Sequence, residues 1–190
     1  MRPLLVLPFL LLPLAALAQT APPSARGAEA RKAELDRAFE ALRSAPDEAG
    51  AALVETRIRQ LWAQAASPAV TLLLRRGARN LEAQLPEEAL EDFDAAITLS
   101  PEFAEAWHLR AQAYLRAGDI PAAVRDLREV LRLEPRHWAA LETLAAAQEA
   151  AGDAEGALRS LRAALEISPK TPGGAEKLRE LQRKAEGEAL

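Results

Sequence analysis

Three consecutive stretches decide the fold: VTLLLRRGARNLEAQLPEEALEDFDAAITLSPEF (70–103), AEAWHLRAQAYLRAGDIPAAVRDLREVLRLEPRH (104–137) and WAALETLAAAQEAAGDAEGALRSLRAALEISPKT (138–171). Pro101, Pro135 and Pro169 mark a constant spacing of 34 residues. The same physical class returns at the same offset. The eighth position is Gly77, Ala111 and Ala145; the twentieth is Ala89, Ala123 and Ala157. The twenty-fourth is Phe93, Leu127 and Leu161, the twenty-seventh Ala96, Val130 and Ala164, and the fourth Leu73, Trp107 and Leu141. Small residues at two offsets let helix backbones approach, and large apolar residues fill the remaining space. A helix hairpin repeated in this way buries each unit on the next.

Turn chemistry falls at matching offsets. Gly118-Asp119 and Gly152-Asp153 read as a left-handed end to one helix and a cap for the next. Leu85-Pro86-Glu87-Glu88 replaces them in the first unit, with proline at the first helical position and acids in the first turn. Ser100-Pro101, Glu134-Pro135 and Ser168-Pro169 are expected to start the following hairpins, with serine as N-cap.

These units resemble tetratricopeptide repeats. Trp107, Ala111, Tyr114, Ala123, Leu127, Val130 and Pro135 match that family's pattern best. Leu73, Gly77, Asn80, Ala89, Phe93, Ala96 and Pro101 come next. The third unit has Gln148 where an aromatic is expected, and Arg76 and Arg110 stand where the family places leucine. The resemblance implies an all-α solenoid of stacked helix-turn-helix repeats that binds peptides or proteins.

The flanks are read separately. Residues 1–18 look like a secretory signal: Arg2, an apolar run from Leu4 to Leu17, and Ala16-Leu17-Ala18 before Gln19. The run is short of the ~20 residues that span a bilayer, and Pro8 and Pro13 interrupt it. Cleavage and a periplasmic location are therefore expected; an uncleaved membrane tether is the alternative. The chain has no cysteine, hence no lipid-anchor acceptor and no disulfide. Residues 19–27 read as a flexible lead. Residues 28–66 read as a divergent hairpin, an N-terminal cap or a degenerate fourth repeat. Leu35, Ala38, Phe39 and Leu42 line its first helix, and Leu53, Val54, Ile58, Leu61, Trp62 and Ala65 its second, with Ser44-x-x-Asp47 between them like a capping box. Residues 172–190 read as a polar capping helix starting at Thr171-Pro172, with Leu178, Leu181 and Ala185 inward. That makes nine helices and no strand.

No constellation for catalysis stands out, and the chain reads as non-enzymatic, with no cofactor or metal site. His108 and His137 are the two histidines, 29 residues apart and outside any two-histidine metal motif. They are expected at surface or boundary positions. Glu91, Asp92 and Asp94 read as a solvated acidic face, and Arg75, Arg76 and Arg79 as partners for acids on neighbouring helices. Gly173-Gly174 lacks the strand and lysine of a phosphate loop. A formal net charge of −4 excludes non-specific nucleic-acid binding.

In proteins of the resembled family the first helix of each hairpin lines a concave groove. Here its positions are Thr71, Leu74, Ala78 and Leu81, then Glu105, His108, Gln112 and Leu115, then Ala139, Glu142, Ala146 and Glu149. The lining is apolar at one end and acidic at the other, which suits a protein segment with an apolar and a basic part. The lysine and asparagine with which some relatives clamp a C-terminal carboxylate are absent from these positions. The expected function is that of a periplasmic adaptor, scaffold or assembly factor binding a protein partner. The alternative is an envelope component that self-associates as a homo-oligomer through Leu53, Ile58 and Trp62 or Leu178 and Leu181.

Overall fold

The structure is a computed structural model and describes residues 23–187. These residues form nine helices and no strand: α1 (Pro23–Arg43), α2 (Glu48–Ala63), α3 (Pro68–Glu82), α4 (Pro86–Leu99), α5 (Ala104–Ala117), α6 (Ile120–Leu133), α7 (Trp138–Ala150), α8 (Ala154–Ile167) and α9 (Gly174–Ala185). Residues 1–18 and their signal reading lie outside the described residues. None of the described helices is long and apolar enough to cross a membrane.

The three units are the hairpins α3–α4, α5–α6 and α7–α8. Each pairs its small residue at offset eight with its large one at offset twenty-four. Where the first unit has Gly77, Phe93 takes the space: a Cβ on Gly77 would lie 2.5 Å from the Phe93 ring. The other two units use Ala111 with Leu127 and Ala145 with Leu161, all of them buried. The hairpin turns share one geometry. Gly118 and Gly152 adopt φ of 82° and 80°, and the first unit forces Gln84 to 62°. In each turn the next amide bonds back into the helix, from Leu85 to Asn80, Asp119 to Tyr114 and Asp153 to Gln148, at 2.8–2.9 Å.

The proline signals resolve differently from one another. Ser67 caps α3, accepting from the Val70 amide at 3.3 Å, and Pro68 opens that helix. Ser100 and Ser168 instead end helices, and Pro101, Pro135 and Pro169 lie in the turns between repeats. The helices that follow begin at Ala104, Trp138 and Gly174. Likewise Asp47, not Ser44, caps α2, accepting from the Gly50 amide at 2.7 Å. The Ser44 hydroxyl donates to the Glu40 carbonyl at 2.9 Å. The helix α1 begins at Pro23, so part of the expected lead is helical.

The acids expected on a solvated face are partly structural. Asp92 is buried and accepts from Arg76 and from Asn80. One repeat later Asp126 is buried and accepts from Arg110 at 2.7 and 2.8 Å. Arg110 also reaches Asp94 of the preceding repeat at 2.6 Å, which links two units. The third unit carries Leu144 and Ser160 at these offsets, and Ser160 bonds to Gln148 at 2.6 Å. A neutral hydrogen bond there replaces an ion pair.

The N-terminal hairpin does not extend the stack, and the sequence explains why. Stacking puts offsets three and ten against the preceding repeat. In the second and third units these are Ala106 and Ala113, then Ala140 and Ala147, all fully buried. In the first unit they are Leu72 and Arg79, both exposed. No helix can approach that face closely. Instead α1 and α2 fold over the inner surface. Phe39, Leu42, Ala45, Ala51 and Ile58 form a core with Trp138, flanked by Ala139 and Ile167. Asp36 pairs with Arg136 at 2.6 Å, and the Ser168 hydroxyl donates to Glu55 at 3.0 Å. At the other end α9 closes the stack: Leu181 is fully buried among Ala145, Ala157 and Leu161. Of the faces named for self-association, Ile58 and Leu181 are fully buried within the chain, Trp62 and Leu178 are half-buried against it, and Leu53 is exposed.

Candidate functional site

The inner surface is built by α3, α5 and α7, and the hairpin divides it. Near the inter-repeat turns, α2 crosses above Thr71 and Leu74 of α3, Glu105 of α5 and Trp138 of α7. Trp62 is its anchor. The indole stacks on Trp138 (centroids 5.5 Å, 25°) and on His137 (4.6 Å, 19°), and Phe39 meets it at 6.1 Å. The Arg59 guanidinium lies over Trp138 at 5.7 Å.

Beneath Trp62 the two histidines meet. Both are buried, contrary to their expected surface or boundary positions, and their rings contact edge to face at 4.7 Å. Glu105 lies between them. His137 caps α7 with its ring: Nδ1 accepts from the Ala140 amide at 3.2 Å. The proton is therefore on Nε2, which donates to Glu105 Oε2 at 3.1 Å. His108 Nε2 lies 3.1 Å from Thr143 Oγ1 and from Gln112, while its Nδ1 is buried without a hydrogen-bond partner. Burial holds the His137 pKa below its ordinary value, against the upward pull of Glu105. For Glu105 burial acts upward, but the two histidines, His137 Nε2 at 3.1 Å and His108 Nδ1 at 3.6 Å, outweigh it and bring the carboxyl to about 2.

The donor atoms of Glu105, His108 and His137 lie within 4.8 Å of one another. Two histidines and a carboxylate are a familiar ligand set for zinc or iron. A metal on His137 Nε2 would push that proton onto Nδ1, where it would face the Ala140 N–H. The residues as placed do not fit a metal, and the cluster reads as a hydrogen-bonded floor under Trp62.

The remaining candidate residues are scattered over several environments. Leu74 and Leu81 are buried in the core of the first repeat. Ala139 is packed by the hairpin. Gln112, Leu115, Glu142 and Ala146 line an open depression with Arg116 and Thr143. Thr71 is exposed at the edge of a cleft, and Ala78 is half-buried. Burial raises the Glu142 pKa, and its Oε1 is buried with no hydrogen-bond partner. Glu149 is neutralised from α9, with Lys177 at 2.8 Å and Lys184 at 2.5 Å, and those lysines hold its carboxyl below the usual range. Trp62, Trp138, His137 and Thr143 belong to the site without having been candidates. Only Trp62 and His137 drew notice in the sequence, and neither carries a signal of its partner.

Comparison with known proteins places the stack. The profile described as tetratricopeptide repeat matches residues 74–119 and 108–172. The chain is 30% identical over 129 residues to a TPR repeat-containing protein of Rhizobium etli, a match covering 62% of this chain and 63% of that protein. It is 39% identical over 59 residues to serine/threonine-protein phosphatase T of Trypanosoma brucei brucei, covering 31% of this chain and 12% of that one. It thus spans less than two thirds of either relative. Among solved structures, the first TPR of Spaghetti (RPAP3) bound to the HSP90 peptide SRMEEVD is similar with a TM-score of 0.61 and 21% identity. That match covers 63% of this chain and 95% of that one. The TPR2B domain of yeast Sti1 in its pHsp70 complex gives 0.58 and 24%, covering 64% and 98%.

Proposed function

Since the chain belongs to the tetratricopeptide repeat family, we propose that it is a non-enzymatic adaptor or assembly factor of the periplasm that holds a segment of a partner protein on its inner surface. The observation that carries this is the open half of that surface. Gln112, Leu115 and Ala146 flank Glu142, whose buried carboxylate oxygen lacks a hydrogen-bond donor. An apolar segment bearing an arginine or lysine supplies the missing donor and covers Leu115 and Ala146. Two similar structures hold chaperone peptides or their complexes, one of them the acidic SRMEEVD. The acidic lining here, Glu105 and Glu142, disfavours such a ligand and favours a basic one. The periplasmic part of the reading is supported by the segment 1–18, with its charged start, apolar run and Ala16-Leu17-Ala18.

Two measurements test it. N-terminal sequencing of the protein from an osmotic-shock fraction should begin at Gln19; an intact Met1 in the membrane pellet would replace the cleaved signal with a tether. Affinity capture from envelope extracts should return one partner with the mature chain and lose it with Leu115→Glu and with Ala146→Arg. Ala146 is exposed, whereas Leu115 is half-buried against the core of the second repeat, so circular dichroism checks that both variants keep their helices. Undiminished capture by both would remove the inner surface from the reading.

A further inference from the structure

The hairpin presents to the stack what a bound peptide would present. On α2, Glu55, Ile58, Arg59 and Trp62 recur at i, i+3, i+4 and i+7, the spacing by which a helix lies in a groove. Trp62 takes the aromatic floor of Trp138 and His137, and Glu55 takes the Ser168 hydroxyl.

The fit is incomplete. Trp62 is only half-buried, with a cleft of about 380 Å³ towards Phe103 and Leu133 and another of about 190 Å³ towards Thr71 and Leu74. Leu53 on the same helix is 75% exposed. Arg59 turns to Glu55 at 3.6 Å and leaves Glu142 Oε1 without a donor. His108 Nδ1, in the floor of the site, makes no hydrogen bond and has only Glu105 Oε2 near it, at 3.6 Å. The hairpin is also tethered to α3 only by residues 64–67. Leu72 and Arg79 bar it from stacking as a repeat, so the inner surface is the face left to it.

We propose that α2 is a self-ligand, and that the external segment taken by this surface is an amphipathic helix of the same pattern, an aliphatic residue followed by arginine with tryptophan three residues beyond, which displaces the hairpin. This rests on the inner surface being the protein-binding site. An external helix wins when its basic side chain reaches Glu142, which Arg59 does not.

The test uses the chain's own sequence and needs no cellular partner. A fluorescein-labelled peptide of residues 46–66 is titrated into the full mature chain and followed by anisotropy. Binding to a Trp62→Ala chain, whose own hairpin has lost its anchor, should be at least tenfold tighter than to the unaltered chain. A peptide carrying Trp62→Ala should bind at least tenfold more weakly. Ile58→Asp in the chain releases the hairpin by a second route and should open the site in the same way. Circular dichroism checks that each variant keeps the helices of the stack. Adding Trp138→Ala to the Trp62→Ala chain should abolish peptide binding, because Trp138 belongs to the hairpin's core and not to that of the stack. No peptide binding to either opened chain, or equal binding to opened and unaltered chains, overturns the self-ligand. If a cellular partner is still captured through Leu115 and Ala146 in that case, the interaction module stands and only the self-ligand falls.

Discussion

Alanine at position 77 should have opposite effects on stability depending on the residue at position 93. Gly77 sits in the interior of α3, where replacing glycine by alanine gains about 1 kcal/mol of helix propensity. In this chain the new Cβ would lie 2.5 Å from Phe93 Cε1 and 2.9 Å from Cζ. Phe93 is 0% exposed and has nowhere to turn, so overpacking costs about 2 kcal/mol. Gly77→Ala alone should therefore lose about 1 kcal/mol. In a Phe93→Leu background the ring is gone, and the pair becomes the alanine and leucine that repeats two and three already use at these offsets. There the same substitution should gain about 1 kcal/mol, a coupling of about 2 kcal/mol. Urea unfolding of the unaltered chain and the three variants, followed by circular dichroism, reads the coupling from four midpoints. Additivity within about 0.5 kcal/mol, or a stabilised Gly77→Ala single variant, would refute the reasoning.

Asp126→Ala should cost about 2 kcal/mol, because it takes the two-pronged partner from a largely buried Arg110 and leaves it only the more exposed Asp94. Arg110→Leu with Asp126→Ser, which copies the third repeat, should recover more than half of that in the same urea assay. Folding stability should also fall in acid, with a definite part due to Glu105. Its carboxyl titrates at about 2 in the folded chain against an ordinary 4.5, so its contribution is complete above pH 4.5 and lost as the pH falls towards 2. With its side chain 29% exposed, solvent screening brings that contribution to about 2 kcal/mol. The stability difference between the unaltered chain and Glu105→Gln should shrink by more than half of that amount between pH 4.5 and 2.5, with the rest lost below pH 2; a constant difference would count against the cluster. His137, held below 6.5 by burial, stabilises the fold above pH 6.5, and that stability should begin to fall as the pH drops below 6.5.

Much of the stack was legible because its period is long and its packing classes repeat without drift. Offsets eight, twenty and twenty-four alone identify the hairpin and the side each helix buries. What failed were signals with two physical meanings. Serine before proline starts a helix at Ser67-Pro68 but ends one at Ser100-Pro101, because proline suits a first turn and an inter-repeat turn equally. Acids read as solvated at Asp92 because their partner, Arg76, is sixteen residues away on another helix. The repetition of that spacing at Arg110 and Asp126 was available as a signal. The histidine cluster was not, since His108 and His137 meet only through the superhelical stacking of α5 on α7. The resting place of the N-terminal hairpin was half legible. Leu72 and Arg79 at offsets that want alanine show that nothing stacks there, while nothing in Trp62 says which surface it finds instead.

The central claim, that the inner surface is where a partner protein binds, is tested most directly by site-specific photo-crosslinking in the native host. A crosslinking residue is placed at Gln112 or Ala146 on the inner surface, and at exposed Arg125 on the outer helix α6 as a control. The account predicts one dominant partner from the first two positions and none from Arg125. Crosslinks to that partner from Arg125 alone would contradict it and move the binding site to the convex face.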